Sequence, residues 1–281
     1  MSVPPMITLS DGNVMPQLGL GVWRASNEQA ANAVAEALAA GYRAIDTAAI
    51  YRNEVGVGQA LQATSVPRSE IFVTTKLWNA DHLAPEQALQ DSLNRLQLEY
   101  IDLYLIHWPL PELDHYVEAW QGLLRLKEQG LAKSVGVCNF KPHHLQRLLD
   151  ETGVLPVVNQ IELHPLFQQH DVAQWNAARH IRTESWSPLA QGGDGVFDHP
   201  VIQQLARKYA KSPAQIVIRW HLDRGLIVIP KSVTPSRIRE NIDVFDFKLE
   251  QEDIDAIATL DSGKRLGQDP DLPRSDTHKK V

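Results

Sequence analysis

Ile71-Phe-Val-Thr74, a helical pattern over 85–98, and then Ile101-Asp-Leu-Tyr-Leu-Ile106 make up the stretch whose reading decides the fold. The two end segments are short apolar runs with β-branched or aromatic residues, the composition of buried strands. The middle segment repeats its apolar residues at the period of a helix. Strands joined through a helix rather than a tight turn lie parallel, and a parallel sheet needs helices packed outside it. The pattern continues outward in both directions. Strand-like runs recur at Ala44-Ile45, Ser134-Val-Gly-Val137, Val157-Val-Asn-Gln-Ile161 and Leu226-Ile-Val-Ile229. Helical periodicity recurs at 28–40, 53–63, 115–130, 142–152, 169–179, 198–210 and 213–223. Gly41, Gly130 and Gly153 stand just past three of these helices, where a left-handed cap residue is wanted. About eight strand–helix units in 281 residues predict a (β/α)8 TIM barrel, with a doubly wound open sheet as the rival architecture. Ahead of the alternation, Ile7-Thr-Leu-Ser-Asp-Gly-Asn-Val-Met15 reads as a β-hairpin with Asp11-Gly12 in its turn. No linker or break in composition divides the chain. The expectation is one barrel domain over 1–281, with an irregular C-terminal tail at 264–281.

Composition narrows the class. Hydrophobic residues make up 43% and charged residues 22%, and 27 basic against 34 acidic residues leave a formal charge of −7. These are values of a soluble globular protein and argue against a broad nucleic-acid surface. The single cysteine, Cys138, excludes an intramolecular disulfide and a multi-cysteine metal site, and fits a reducing compartment. Met1-Ser-Val-Pro-Pro5 has no signal-peptide character, and no apolar run approaches the roughly 20 residues of a membrane span. The expected location is the cytoplasm.

Polar residues then stand out at strand ends. Tyr42-Arg-Ala-Ile-Asp46 ends in Asp46, Ile71-Phe-Val-Thr-Thr-Lys76 in Lys76, and Leu103-Tyr-Leu-Ile-His107 in His107. In a barrel the carboxyl ends of the strands meet at one mouth, where active sites form. Tyr51 lies five residues past Asp46 and can reach the same mouth. Each residue alone has a bland reading: Asp46 as a turn cap, Lys76 and His107 as solvated strand ends, Tyr51 as a packed aromatic. A single cluster explains all four. Its chemistry is coherent, because a buried ammonium stabilises a nearby phenolate and lowers a tyrosine pKa from about 10. A carboxylate keeps that lysine charged, and a neutral histidine can orient a substrate carbonyl. The product is a general acid aimed at a carbonyl oxygen, with neither metal nor activated nucleophile.

Several stretches resemble the signature motifs of the aldo-keto reductases. They are Gly41-Tyr-Arg-Ala-Ile-Asp-Thr-Ala-Ala-Ile-Tyr51, Thr75-Lys-Leu-Trp-Asn79 and Asp102-Leu-Tyr-Leu-Ile-His-Trp-Pro109, then Gly136-Val-Cys-Asn-Phe140, Asn159-Gln-Ile-Glu-Leu-His-Pro165 and Ile229-Pro-Lys-Ser-Val233. The resemblance spans residues 5–265 in order and with family spacing. Within the family, Asp11-Gly-Asn-Val-Met-Pro-Gln-Leu-Gly19 and Asp114-His-Tyr-Val-Glu-Ala-Trp120 are most similar to bacterial 2,5-diketo-D-gluconic acid reductases of the A type. The resemblance implies that Asp46, Tyr51, Lys76 and His107 form the family's catalytic tetrad. Tyr51 would protonate the carbonyl oxygen while hydride passes from NADPH to the carbonyl carbon.

A dinucleotide raises the question of a Rossmann motif. Gly56-Val-Gly-Gln-Ala-Leu61 lacks the third glycine and is preceded by no strand, so it reads as a helix start. Lys231-Ser-Val-Thr-Pro-Ser-Arg237 comes after the last strand and opens a helix near Pro235. Helix N–H groups, Ser232, Lys231 and Arg237 suit a phosphate monoester, although on residue types alone a basic surface turn serves equally well. The resemblance implies the NADPH 2′-phosphate there, together with Val233, and Glu240 and Asn241 near the adenine. It further implies Trp186 stacked on the nicotinamide, Asn139 and Gln160 on its carboxamide, Ser187, Leu189 and Gln191 along the pyrophosphate, and Gly21 and Val22 beside the cofactor. Cys138 stands where the family often has serine, which implies a weaker hydrogen bond to the carboxamide. Trp23, Trp78 and Trp108 fall on βα loops and predict an apolar rim which, with Tyr51 and His107, would hold the substrate. His143-His144 and His164-Pro165 lack a carboxylate at zinc spacing, so no metal is expected. The implied substrates are 2,5-diketo-D-gluconate, reduced to 2-keto-L-gulonate, methylglyoxal or β-keto esters. The short C-terminal loop implies an open pocket, and the family implies a monomer. A barrel hydrolase or isomerase using Asp46 and His107 as acid and base, and a non-enzymatic NADPH-binding module, are the competing functions.

Overall fold

Strands buried at every position need cover on both faces, which a parallel barrel wrapped in helices supplies. The computed structural model, which describes residues 4–193 and 195–274, has that form. A hairpin pairs β1 (Met6–Thr8) with β2 (Val14–Pro16), Thr8 opposite Val14. Gly12 sits in the turn at φ +89°, the left-handed region where glycine costs nothing. The barrel strands are β3 (Leu20–Gly21), β4 (Ala44–Asp46), β5 (Phe72–Leu77), β6 (Ile101–Ile106), β7 (Ala132–Cys138), β8 (Val158–Glu162), β9 (Arg182–Trp186) and β10 (Ile227–Val228). They pair in parallel and in sequence order. Parallel bridges Leu18↔Val228 and Gly21↔Lys231 join the two ends, with Gly19 N–H donating to Val228 O at 2.9 Å. All positions of β5 and β6 are buried.

Helices fill the outside of the barrel much as periodicity predicts. Helix Asn27–Ala40 starts where Ser26 accepts from Gln29 N–H, and it stops at Gly41, φ +104°. Gly130 and Gly153 are also left-handed. Gly56 and Gly58 lie inside helix Glu54–Ala63, and they are there for room. A Cβ on Gly56 would lie 2.0 Å from Asn27 O, and one on Gly58 2.5 Å from Leu96 O. Strands β3 and β9 and the helix Gln251–Ala258 are additions to the expectation. Among the described residues no helix is long and apolar enough to cross a membrane.

The two-residue period of a strand fixes which side chains look inward. Ala44, Phe72, Leu103, Leu105, Cys138, Val158 and Ile227 form one apolar cluster, and Leu9 and Met15 of the hairpin join it, closing one end of the barrel. Stepping along the same inner faces toward the strands' carboxyl ends reaches Asp46, Lys76, His107 and Gln160. The barrel is thus apolar at the hairpin end and polar at the other.

For the tail, the sequence predicts an irregular surface segment. Its described part, 264–274, is irregular, but it is tied across the barrel mouth. Glu162 accepts from Leu266 N–H at 2.6 Å and Gly267 N–H at 2.8 Å. Lys141 bridges Asp269 and Asp271 at 2.6 Å each, and Arg274 lies 3.9 Å above the Trp108 ring. The short loop therefore leaves the mouth partly covered rather than open. Residues 275–281 lie outside the described residues.

Candidate active site

The four strand-end residues converge as their spacing predicts. Asp46 ends β4, Lys76 is the penultimate residue of β5, and His107 comes directly after β6. Tyr51 closes a single 3₁₀ turn, Ala49–Tyr51, that carries the chain back over the mouth. Lys76 Nζ donates to Asp46 Oδ1 at 2.6 Å and to Thr47 O at 2.8 Å, and the lysine is wholly buried. The same ammonium lies 5.1 Å from the Tyr51 ring centroid. His107 stands edge-on to Tyr51 at 5.7 Å and to Trp78 at 5.3 Å.

Electrostatics sort the protonation states. Burial pulls the Lys76 ammonium toward losing its proton, but Asp46 and Tyr51 outweigh it and hold the group charged. Burial raises the Tyr51 hydroxyl to about 12, against the downward pull of Lys76. The expected lowering is therefore present but outweighed, because the phenolate would have to form in a site shut off from water. Burial, helped by Lys76 and Arg274, drives His107 well below the usual imidazole value, so the ring is neutral. Its Nδ1 is buried with no hydrogen-bond partner among the described residues.

A second layer of polar side chains backs this group. Gln160 Nε2 donates to Asp46 Oδ2 at 2.8 Å and to Glu184 Oε2 at 2.9 Å, and Cys138 Sγ is 3.8 Å from Gln160 Oε1. Asn139 Nδ2 donates to His107 O at 2.9 Å, and Asn139 Oδ1 accepts from Trp186 Nε1 at 2.9 Å. Both expected carboxamide partners are thus already bonded. Each keeps a carbonyl oxygen able to accept again. Burial holds the Cys138 thiol well above its usual value, which makes it inert as a nucleophile. Trp186 is half-buried, and a Cβ at Gly267 would lie 2.5 Å from its ring, so glycine lets the tail pass its edge.

Trp78 and Trp108 share an apolar cluster with Leu110, bordered by Ile50 and Leu113. Trp23 stands apart, 37% exposed, with Arg24 4.1 Å above its ring. Gly21 and Val22 are buried, and Gly21 bridges to Lys231. Beyond that bridge Lys231, Pro235 and Arg237 are exposed, and helix Pro235–Ile242 has no side-chain cap at its start. Ser232 is buried, and its Oγ accepts from Thr234 N–H at 3.1 Å. Partial desolvation of its otherwise exposed side chain and the nearby Arg24 lower the Lys231 pKa. Val233 and Glu240 are half-buried and Asn241 is buried. Ser187, Ala190 and Gln191 all have left-handed backbone, at φ +48°, +48° and +53°. Ser187 and Leu189 are half-buried there, and Gln191 is exposed.

Sequence reasoning missed Thr47, Glu184, Arg24 and Arg274. Thr47 acts through its backbone, which carries no sequence signal. Arg24 and Arg274 arrive from loops. Glu184 had a signal, an acidic residue two positions before Trp186 in the apolar-flanked stretch Ile181-Arg-Thr-Glu-Ser-Trp186. Asp271 supplies the carboxylate that spacing denied to His143 and His144, with ligand atoms of all three within 4.8 Å. His144 Nδ1 accepts from Lys141 N–H at 3.1 Å, so in the neutral ring Nε2 carries the proton and offers no lone pair to a metal. His164 Nε2 lies 3.0 Å from Glu162 Oε1 in a fully buried pair.

Comparison with known proteins fits this geometry. The model of the Aldo/keto reductase family matches residues 16–193 and 198–262. The Methylglyoxal reductase DkgA of Escherichia coli (strain K12) is 67% identical over 271 residues, 96% of this chain and 98% of that protein. The protein of the same name from Yersinia pestis is 66% identical over 276 residues, 98% of this chain and 100% of the other. Among solved structures, a Gox0644 point mutant in complex with NADPH has a TM-score of 0.93 at 47% identity, covering 97% of this chain and 100% of its own.

Proposed function

Since the chain belongs to the aldo/keto reductase family, we propose that it uses NADPH to reduce the carbonyl of a small substrate, with Tyr51 as the proton donor. The observation that carries this reading is the Lys76–Asp46 pair at 2.6 Å, buried beneath the Tyr51 ring. When bound, NADPH supplies the hydride received by the carbonyl carbon. The chain does the rest. His107, neutral at physiological pH, hydrogen-bonds the carbonyl oxygen and turns it toward Tyr51. The Tyr51 hydroxyl gives its proton to that oxygen as negative charge builds on it, and the phenolate left behind faces the Lys76 ammonium. Solvent returns the proton after the alcohol leaves. A tyrosine held at about 12 is protonated throughout the physiological range, the state that reduction requires.

The cofactor residues fit their group. The uncapped helix start at Pro235, with Lys231, Arg237 and the neighbouring Arg24, would hold the 2′-phosphate, with Ser232 and Val233 on the same loop. Glu240 and Asn241 would flank the adenine. Ser187, Leu189 and Gln191 would line the pyrophosphate on a strained turn, and strain of that kind concentrates at ligand clamps. Trp186 would stack on the nicotinamide, whose amide would donate to the carbonyl oxygens of Asn139 and Gln160, with Cys138, Gly21 and Val22 beside it. Trp78 and Trp108 would enclose the substrate, and Trp23 would border it from the exposed side.

The names of the relatives favour methylglyoxal as substrate. The sequence resemblance adds 2,5-diketo-D-gluconate, giving 2-keto-L-gulonate, and β-keto esters to the proposed substrates. We read the chain as one barrel domain over 1–281, acting as a monomer in the cytoplasm. The test is the fall of NADPH absorbance on adding methylglyoxal. Tyr51→Phe should lower kcat by about 10²–10⁴-fold with NADPH affinity kept; a loss under tenfold would remove Tyr51 from its role.

A further inference from the structure

The inner wall of the barrel holds a carboxyl group that the reaction above leaves unused. Glu184, on β9, is fully buried. Its Oε2 accepts from Gln160, and its Oε1 has no partner among the described residues. The other amide proton of Gln160 goes to Asp46. One amide therefore bridges two carboxyl groups, of which only Asp46 touches a cation. The titratable groups facing Glu184 are Asp46 on β4, Lys76 on β5 and Cys138 on β7; its register partner on β10, Ile227, is uncharged. With both carboxyls ionised, two buried anions would share a single buried ammonium, an arrangement of high cost in a low-dielectric interior. Asp46 lies against Lys76 Nζ and Glu184 touches no cation, so of the two it is Glu184 that is driven toward its protonated form. Burial and the Asp46 charge raise it to about 8, against the pull of the Gln160 hydrogen bond and Lys76.

We propose that Glu184 is a positioning residue of the reductase centre: as a neutral acid it anchors Gln160, which fixes Asp46 against Lys76, and its ionisation weakens the cationic field on Tyr51. This rests on the carbonyl-reductase reading given above. Charge sets the sign. Below about 8 the Tyr51–Lys76–Asp46 group carries its one ion pair alone. As pH rises through that value Glu184 becomes an anion. It offsets part of the lysine charge, makes the phenolate costlier to form, and turns Tyr51 into a poorer donor. Reduction should fall along that limb.

Two measurements test this. Infrared spectra of the cofactor-free wild-type protein should show a protonated-carboxyl band that disappears as pH rises through about 8 and is missing in Glu184→Gln. Steady-state profiles of kcat against pH should show an alkaline limb in the wild type that Glu184→Gln loses. Glu184→Ala, which frees the Gln160 amide, should cost about tenfold or more in kcat at neutral pH, the worth of a hydrogen bond in a charged network. Glutamine at this position should recover most of that loss. A wild type with no such band, a band that persists in Glu184→Gln, or an unchanged limb in Glu184→Gln each overturns the proposal. Should no carbonyl compound be reduced, the reductase reading falls, while the infrared titration still decides the protonation of Glu184. That titration needs only the wild-type chain, so a poorly folding variant leaves it decisive.

Discussion

Replacing Lys76 with methionine isolates the interaction on which the proposed chemistry depends. The substitution roughly keeps volume and removes one charge from a pair whose side chains are 0% and 5% exposed. Two unit charges 2.6 Å apart attract by roughly 6 kcal/mol at an effective dielectric of about 20. The variant no longer bears the cost of burying the ammonium, so the net loss lies nearer the roughly 3–5 kcal/mol typical when one member of a buried pair is removed. Asp46 would then face Gln160 with no cation beside it, and a buried carboxyl so placed is driven toward its protonated form. A carboxyl whose folded pKa is raised binds a proton in the native state that the unfolded chain has released, so stability falls as pH rises between the two values. The deficit of Lys76→Met should therefore be small near pH 4, about the unfolded value, grow with pH, and level off above the new folded value. Glu184 faces both Lys76 and Asp46, so its own slope changes with the substitution, and the comparison is made in a Glu184→Gln background. Urea unfolding followed by tryptophan fluorescence, across a series of pH values, measures the deficit directly. Adding Asp46→Asn should remove the pH-dependent part and make the double variant more stable at neutral pH than Lys76→Met alone. A deficit that does not vary with pH, or fully additive effects of the two substitutions, would refute the coupled pair.

Two other outcomes test the cofactor site and the barrel's outer packing. Arg237→Ala should weaken NADPH binding by about 10–150-fold, the worth of one charge-assisted contact, and leave NADH nearly unchanged, as read by quenching of tryptophan fluorescence. Equal losses for both cofactors would give Arg237 a structural role. Gly56→Ala should destabilise the fold by about 1–3 kcal/mol in thermal or urea unfolding, even though alanine gains about 1 kcal/mol of helix propensity, because the new Cβ would lie 2.0 Å from Asn27 O. A stabilised variant would show that the two helices separate freely.

The barrel is legible where burial is two-sided. β5 and β6 have no solvent face, so they read as apolar runs, and Gly41, Gly130 and Gly153 mark helix ends through capping chemistry that is local. β9 escapes notice for a physical reason. Its sequence, Arg182-Thr-Glu-Ser-Trp186, is polar because Glu184 faces the polar end of the barrel interior, and a periodicity argument assumes that buried means apolar. β3 has two residues, too few to show any period. Gly56 and Gly58 look like a fragment of a phosphate loop, since a sequence does not distinguish glycine used for backbone freedom from glycine used for close helix contact.

The site divides along the same line. Asp46, Lys76 and His107 are legible because barrel topology converts their place in a strand into a place in space, so three local facts become one site. The contacts that complete it come from separations that topology alone does not specify: Gln160 with Asp46 across 114 residues, Lys76 with the Thr47 carbonyl, and Arg274 over Trp108. For Tyr51 the sequence reveals only part of the environment. Spacing supplies the lysine, hence a lowered pKa, but it does not supply the depth of burial, which outweighs the lysine and leaves the hydroxyl at about 12. The consequence is mechanistic. A phenol held so firmly in its acid form releases a proton only as charge builds on the oxygen it faces, so in the proposed reaction the lysine would stabilise the departing state rather than a resting phenolate. On that reading any group that changes the charge around Lys76, Glu184 first among them, would act on turnover through Tyr51 without touching substrate.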